Sequence, residues 1–239
     1  MRFKRKRKGE VSMIYITGDT HGEENAFTEA QRPGEWKIGE GDYLIVCGDF
    51  SYVFLNTPEE RARLNKIERE KPYTILFCDG NHENHAELNS LPVEMWHGGK
   101  VHRVRENIIH LMRGQIYEIE GKKFFVMGGE LSHDRARRTL GYSYWTEELP
   151  SESEYEEARQ NLKNAGRRVD YIITHGAPRT IVEHYLRQVP DEHERELLNF
   201  LDWVMFDVEY KKWFFGHFHL DKEVTAKLRC VLFDIVPIE

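Results

Sequence analysis

The sequence predicts an α/β protein built on parallel strands. Three observations lead there. Short apolar runs alternate with helical patterns, as in a sheet whose strands are joined by helices. Five of those runs end beside a glycine in Asp, Asn or His, and in such sheets functional groups gather beyond the carboxyl ends of the strands. The 239 residues, 40% hydrophobic and 12% aromatic, suffice for one sizeable core in a single compact unit.

Taken in order, residues 1–12 hold Arg2, Lys4, Arg5, Lys6, Arg7 and Lys8 and are expected to be a basic, disordered tail ahead of a domain over 13–239. The run 13–17 has strand length and leads into Gly18-Asp19-Thr20-His21-Gly22; residues 42–47 lead into Gly48-Asp49-Phe50. Thr57, Pro58 and Glu60 then read as a helix start, with a capping Thr and Pro in the first turn. That helix runs to Glu70 with Leu64 and Ile67 inward, and Lys71-Pro72 stops it. The run 73–78 follows and ends in Asp79-Gly80-Asn81-His82-Glu83.

Residues 115–127 alternate polar and apolar around Gly121-Lys122, the pattern of a hairpin. Residues 128–150 mix Arg135, Arg137, Arg138 and His133 with Tyr142, Tyr144 and Trp145; an irregular stretch of this length is expected to be an inserted functional lid. Ser151 and Glu154 form a capping box for a helix to about Ala165, ended by Gly166. The run 169–174 enters His175-Gly176. Leu197, Phe200, Leu201, Val204 and Val208 mark one helix face, and 212–215 enters Gly216-His217-Phe218-His219.

Composition narrows the function. The net charge of −7 argues against stable nucleic-acid binding, and no apolar run approaches the roughly 20 residues of a membrane span. Cys47, Cys78 and Cys230, an odd count without close pairing, suit reduced thiols in a cytoplasmic protein. Asp19, His21, Asp49, Asn81, His175, His217 and His219 supply seven oxygen and nitrogen ligands without a thiolate. That set suits two divalent transition metals sharing one carboxylate, with Mn, Fe, Zn and Ni all acceptable.

The order Asp-x-His, Gly-Asp, Gly-Asn-His-Glu, His-Gly, Gly-His-x-His over residues 18–219 resembles the calcineurin-like metallophosphoesterases. The resemblance implies a four-layer α/β/β/α sandwich of two mixed sheets flanked by helices. It implies one metal on Asp19, His21 and His219, another on Asn81, His175 and His217, and Asp49 bridging them. A metal-bridged hydroxide would attack phosphorus in line, with His82 as general acid. Where the family often has a further Asp three residues after the second motif's first Asp, this chain has Tyr52, so the orienting partner of His82 is unidentified. Arg137, Arg138 and His133 are the expected contacts to a substrate phosphate. The substrate is a phosphorylated compound of open class, a phosphatase being the first expectation and a phosphodiesterase the second. The competing reading is a non-catalytic metal-binding scaffold, which ought to have lost His82 or several ligands.

Overall fold

The computed structural model describes residues 12–28 and 37–238, so the basic tail lies outside the described residues except for Ser12. The strands and helices are β1 (Ile14–Thr17), β2 (Tyr43–Val46), α1 (Pro58–Glu70), β3 (Thr74–Phe77), α2 (His85–Ser90), β4 (Val93–Trp96), β5 (Gly99–Arg105), β6 (Ile108–Leu111), β7 (Gln115–Ile119) and β8 (Lys122–Met127). They continue with α3 (Glu152–Asn164), β9 (Tyr171–Thr174), α4 (Arg195–Asp207), β10 (Lys212–Phe215), β11 (Lys222–Glu223), β12 (Leu228–Cys230) and β13 (Val236–Ile238).

Two mixed sheets result, ordered β13-β1-β2-β3-β6-β5-β4 and β11-β12-β10-β9-β8-β7. Side chains alternate across each strand, and this alternation makes the layers. Ile16, Ile45 and Leu76 of the first sheet meet Phe124, Val126, Ile173 and Phe214 of the second in a fully apolar interlayer. Their strand neighbours Leu44, Val46, Ile75 and Phe77 face the opposite way onto Leu64 and Ile67 of α1 and Leu88 of α2. On the far side, Phe125, Ile172, Trp213 and Phe215 pack on Tyr155 and Leu162 of α3 and Leu197, Leu201 and Val204 of α4. The expected four-layer sandwich is the fold.

The caps read from the sequence form as well. Thr57 accepts from the Glu60 N–H with Pro58 opening the helix, and Ser151 and Glu154 cap each other reciprocally. Among the described residues no helix is long and apolar enough to cross a membrane.

Register places the site. β1, β2 and β3 run parallel with Thr17, Val46 and Phe77 in one row, and β9 and β10 run parallel with Thr174 beside Phe215. All five strands therefore stop at one level, and the residues just beyond them share one edge of the sandwich.

Candidate active site

Asp19 and His21 follow β1, Asp49 follows β2, Asn81 and His82 follow β3, His175 follows β9, and His217 and His219 follow β10. Turning these groups to one point needs unusual backbone. His21, Asp49, His217 and His219 have φ of 48, 46, 63 and 53°, in the left-handed region that costs a residue with a Cβ roughly 1–3 kcal/mol. Close approach also needs glycine. A Cβ on Gly80 would lie 2.2 Å from Asp49 Oδ1, and one on Gly216 would lie 2.2 Å from Asp19 Oδ1.

The ligand atoms converge in two overlapping sets. His219 Nε2 lies 3.0 Å from His21 Nε2 and 3.3 Å from Asp19 Oδ2. His175 Nε2 lies 3.2 Å from Asn81 Oδ1 and 3.3 Å from Asp49 Oδ1. Asp49 faces both sets, because its other oxygen is 3.8 Å from His21 Nδ1. Asp19, His21 and His219 present ligand atoms within 4.8 Å of one another, as do Asp19, Asp49 and His175. His217 donates its backbone N–H to Asp19 Oδ1 at 3.2 Å, and its ring centre is 5.1 Å from that of His175.

Electrostatics call for cations here. Burial, then the charge of Asp19, pushes the Asp49 carboxyl well above the usual carboxylate range. Burial would raise Asp19 too, but the His219 hydrogen bond and the His175 and His21 charges bring it below that range. Two buried, mutually repelling carboxylates are relieved by divalent ions between them. The tautomer fits as well: His175 Nδ1 donates to the Cys47 carbonyl at 2.9 Å, which leaves Nε2 as a lone pair facing the site.

His82 stands at the rim. Its backbone N–H donates to Asp49 Oδ1 at 2.9 Å, and its ring lies 5.2 Å from that of His21. Arg138 donates to His82 Nε2 at 3.0 Å while also bonding Asp134 Oδ1 and the Ser143 carbonyl. Burial, then the Arg138 charge, pushes the imidazole down to about 3, so the ring is neutral with its proton on Nδ1. The side chain hydrogen-bonded to the His82 ring is thus Arg138. Tyr52 turns the other way, buried at 4.7 Å from the Phe50 ring with its hydroxyl donating to the Glu23 carbonyl.

The structure brings Arg138 and His133 to the site, the latter with Nε2 3.2 Å from His217 Nε2, and leaves Arg137 exposed. It also adds groups that carried no role in the sequence. Glu83 accepts the N–H groups of Ser51 and Gly80 and so ties the second strand end to the third. Asp79 is held by Arg113, which reaches on to the carbonyls of Glu147 and Glu148. Glu83 and Asp79 flank Gly80-Asn81-His82 in the sequence, which was the available signal; Arg113 offered none.

The sequence family described as calcineurin-like phosphoesterase matches residues 12–221, most of the chain and every ligand above. The chain belongs to the calcineurin-like phosphoesterases. Membership of that family, together with donor groups placed so that they could hold a metal ion, fits metal-dependent phosphoester chemistry. This calcineurin-like chain is similar to a lariat debranching enzyme of Schizosaccharomyces pombe, 24% identical over 231 residues, 81% of this chain and 48% of that protein. It is similar to a second lariat debranching enzyme, of Caenorhabditis briggsae, at 28% over 134 residues, 50% of this chain and 25% of that protein. The chain thus spans about half the length of one curated relative, and the match to the other covers a quarter. Among solved structures it is similar to a putative 5'-nucleotidase from Staphylococcus aureus, with TM-score 0.43 and 13% identity over 91% of this chain and 48% of that one. A phosphopantetheinyl hydrolase from Mycobacterium tuberculosis gives TM-score 0.48 and 15% identity over 95% and 90%.

Proposed function

We propose that the protein hydrolyses phosphoric diesters, with Asp19, His21 and His219 holding one divalent transition ion, Asn81, His175 and His217 another, and Asp49 shared. The observation that supports this most is the Asp49 carboxylate, one oxygen toward each ligand set. Mn, Fe, Zn and Ni all suit the donors. When bound, such ions supply Lewis acidity and acidify water for attack on phosphorus. A diester is preferred to the monoester first expected because both relatives are lariat debranching enzymes, and a branch point in a phosphoester chain is a diester. The three free, buried cysteines suit a reducing cytoplasm.

The chain's own residues then orient and protonate. Arg138 offers a planar, permanently charged fork beside the ions, suited to a phosphate oxygen. Drawn onto an anionic substrate, its guanidinium leaves His82 Nε2, a nitrogen that burial and then the Arg138 charge keep unprotonated; Nε2 takes a proton from solvent and gives that proton to the departing oxygen. His133, beside His217, extends the same rim.

The test is turnover of a metal-loaded preparation on bis(p-nitrophenyl) phosphate and a dinucleotide against p-nitrophenyl phosphate. We expect higher kcat/KM on the diesters and loss of both activities on chelation. The reverse order would restore the phosphatase reading. No turnover of any ester with both ions bound would favour the non-catalytic scaffold.

A further inference from the structure

Asn81 poses a problem of direction. An amide can turn over, exchanging its oxygen and its NH2. With Nδ1 donating to Cys47, the neutral imidazole that metal ligation requires presents Nε2 as an acceptor, and 3.2 Å away it meets Asn81 Oδ1, a second acceptor. Two lone pairs facing each other suit a cation between them. With no cation, the amide would gain by turning over and donating its NH2 to His175, which would occupy the position of the ion.

A pair of fully buried residues from the inserted segment opposes that turn. Asn81 Nδ2 donates to Ser132 Oγ at 3.3 Å, and Ser132 Oγ donates to Glu148 Oε1 at 2.9 Å. Glu148 also accepts the N–H of Ser132 at 2.8 Å and that of Trp145 at 3.3 Å. A carboxylate receiving these donors takes the hydroxyl hydrogen of Ser132. The remaining face of Ser132 Oγ is then an acceptor and can face only the NH2 end of Asn81. Glu148 is fixed in turn, because its carbonyl receives the N–H of Glu130 at 3.1 Å and Arg113 Nη2 at 3.2 Å.

We infer that Ser132 and Glu148 are positioning residues that hold the Asn81 carbonyl oxygen toward the second ion and keep the amide from closing that half of the site. The lid segment therefore helps build the metal centre as well as covering it. This rests on the reading of Asn81 and His175 as ligands of one ion.

The experiment is calorimetric titration of Mn²⁺ into chelator-stripped protein, resolving two binding steps. Ser132→Ala should weaken one step by about 10–100-fold and leave the other unchanged, the range usual for partners that orient a metal ligand. Ser132→Thr, which keeps the hydroxyl, should stay within a few-fold of wild type. Glu148→Gln tests the polarity independently and serves if Ser132→Ala does not fold. Its amide can offer an N–H to Ser132, turn the hydroxyl hydrogen toward Asn81, and weaken the same step. Asn81→Ala is the control and should lose that step. If Asn81→Ala loses the step but Ser132→Ala titrates as wild type, the positioning role is overturned. A Ser132→Thr variant as weak as Ser132→Ala would overturn it too, because packing and not the hydroxyl would then matter. Wild-type titration by Asn81→Ala would instead overturn the ligand reading beneath it.

Discussion

Asp49 is the residue through which the two ligand sets communicate, and its substitution is the most direct probe of the centre. Asp49→Asn should lower bound metal and turnover together, since a neutral amide bridges two cations poorly. Elemental analysis beside kinetics checks this, and full occupancy with wild-type turnover would remove the bridging role. His82 is expected to behave differently. His82→Ala should keep its ions, lose roughly 10²-fold or more on alkyl esters and clearly less on nitrophenyl esters, whose leaving oxygen needs no proton. Equal losses on both would assign His82 a charge or packing role. The seven candidate ligands were legible as a group because each sits in a short motif at the end of an apolar run. The left-handed backbone at His21, Asp49, His217 and His219 was not, since Asp and His, though enriched in that region, enter it in only a small minority of their occurrences. Ser132 and Glu148 were hidden for another reason. They lie 16 residues apart in a stretch whose arginines and aromatics dominate the pattern, and only the fold joins them.

Among the elements, the segment 128–150 is held at its root by a buried ion pair. Arg113, just past β6, binds Asp79 at the end of β3 and the backbone of Glu147 and Glu148 at the segment's far root. Arg113→Met leaves a buried carboxylate without its cation and should cost about 3–5 kcal/mol in denaturant unfolding. The Arg113 charge and the His110 hydrogen bond outweigh burial and hold the Asp79 carboxyl well below its usual range. Its contribution is therefore complete above the unfolded value of about 3.9 and fades only in stronger acid. The histidines beside the pair act earlier. Burial, then neighbouring positive charge, brings His85 down to about 3 and His102 down to about 4, so both are neutral when folded. Each favours the folded state above about pH 6.5 and loses that contribution as pH falls toward its folded value. Denaturant midpoints of metal-free protein should thus decline from about pH 6.5 to 4, with a shallower slope in His102→Gln. Helices α1 and α3 were readable from their caps, α4 from its apolar face and the β7–β8 hairpin from alternation, whereas the short α2 was not read. The β4–β6 region was not, because β4 is largely exposed with Val93 and Met95 outward, whereas all four residues of β6 are buried. Neither strand shows a period of two.

Across the whole molecule, the candidate metal centre is a joint between two sheets, three strand ends contributed by one and two by the other. Ions that bind only when both edges are in place stabilise the folded state by mass action, by about 2.7 kcal/mol at a hundredfold excess over Kd. For a domain of this size that amounts to roughly 5–11 °C in Tm. Thermal melts of stripped and Mn-loaded protein check it, and a Tm indifferent to metal would mean that the ions bind one sheet alone.

The glycine contacts carry a consequence for descent and engineering. Gly216 of one sheet leaves no room for a methyl group against Asp19 of the other, and Gly80 leaves none against Asp49. Such positions must be inherited as a set, because a change at one demands movement in a neighbour that already has a ligand to hold. The tip of the segment is under no such obligation: Leu140 and Tyr142 are exposed, and only the φ of +73° at Gly141, not any neighbour, restricts what can stand there. Variation in substrate preference therefore has its freest ground around Leu140 and Tyr142, short of Arg138 and the buried Trp145. A transplant that respects those two ends can carry a new specificity onto an unchanged chemistry.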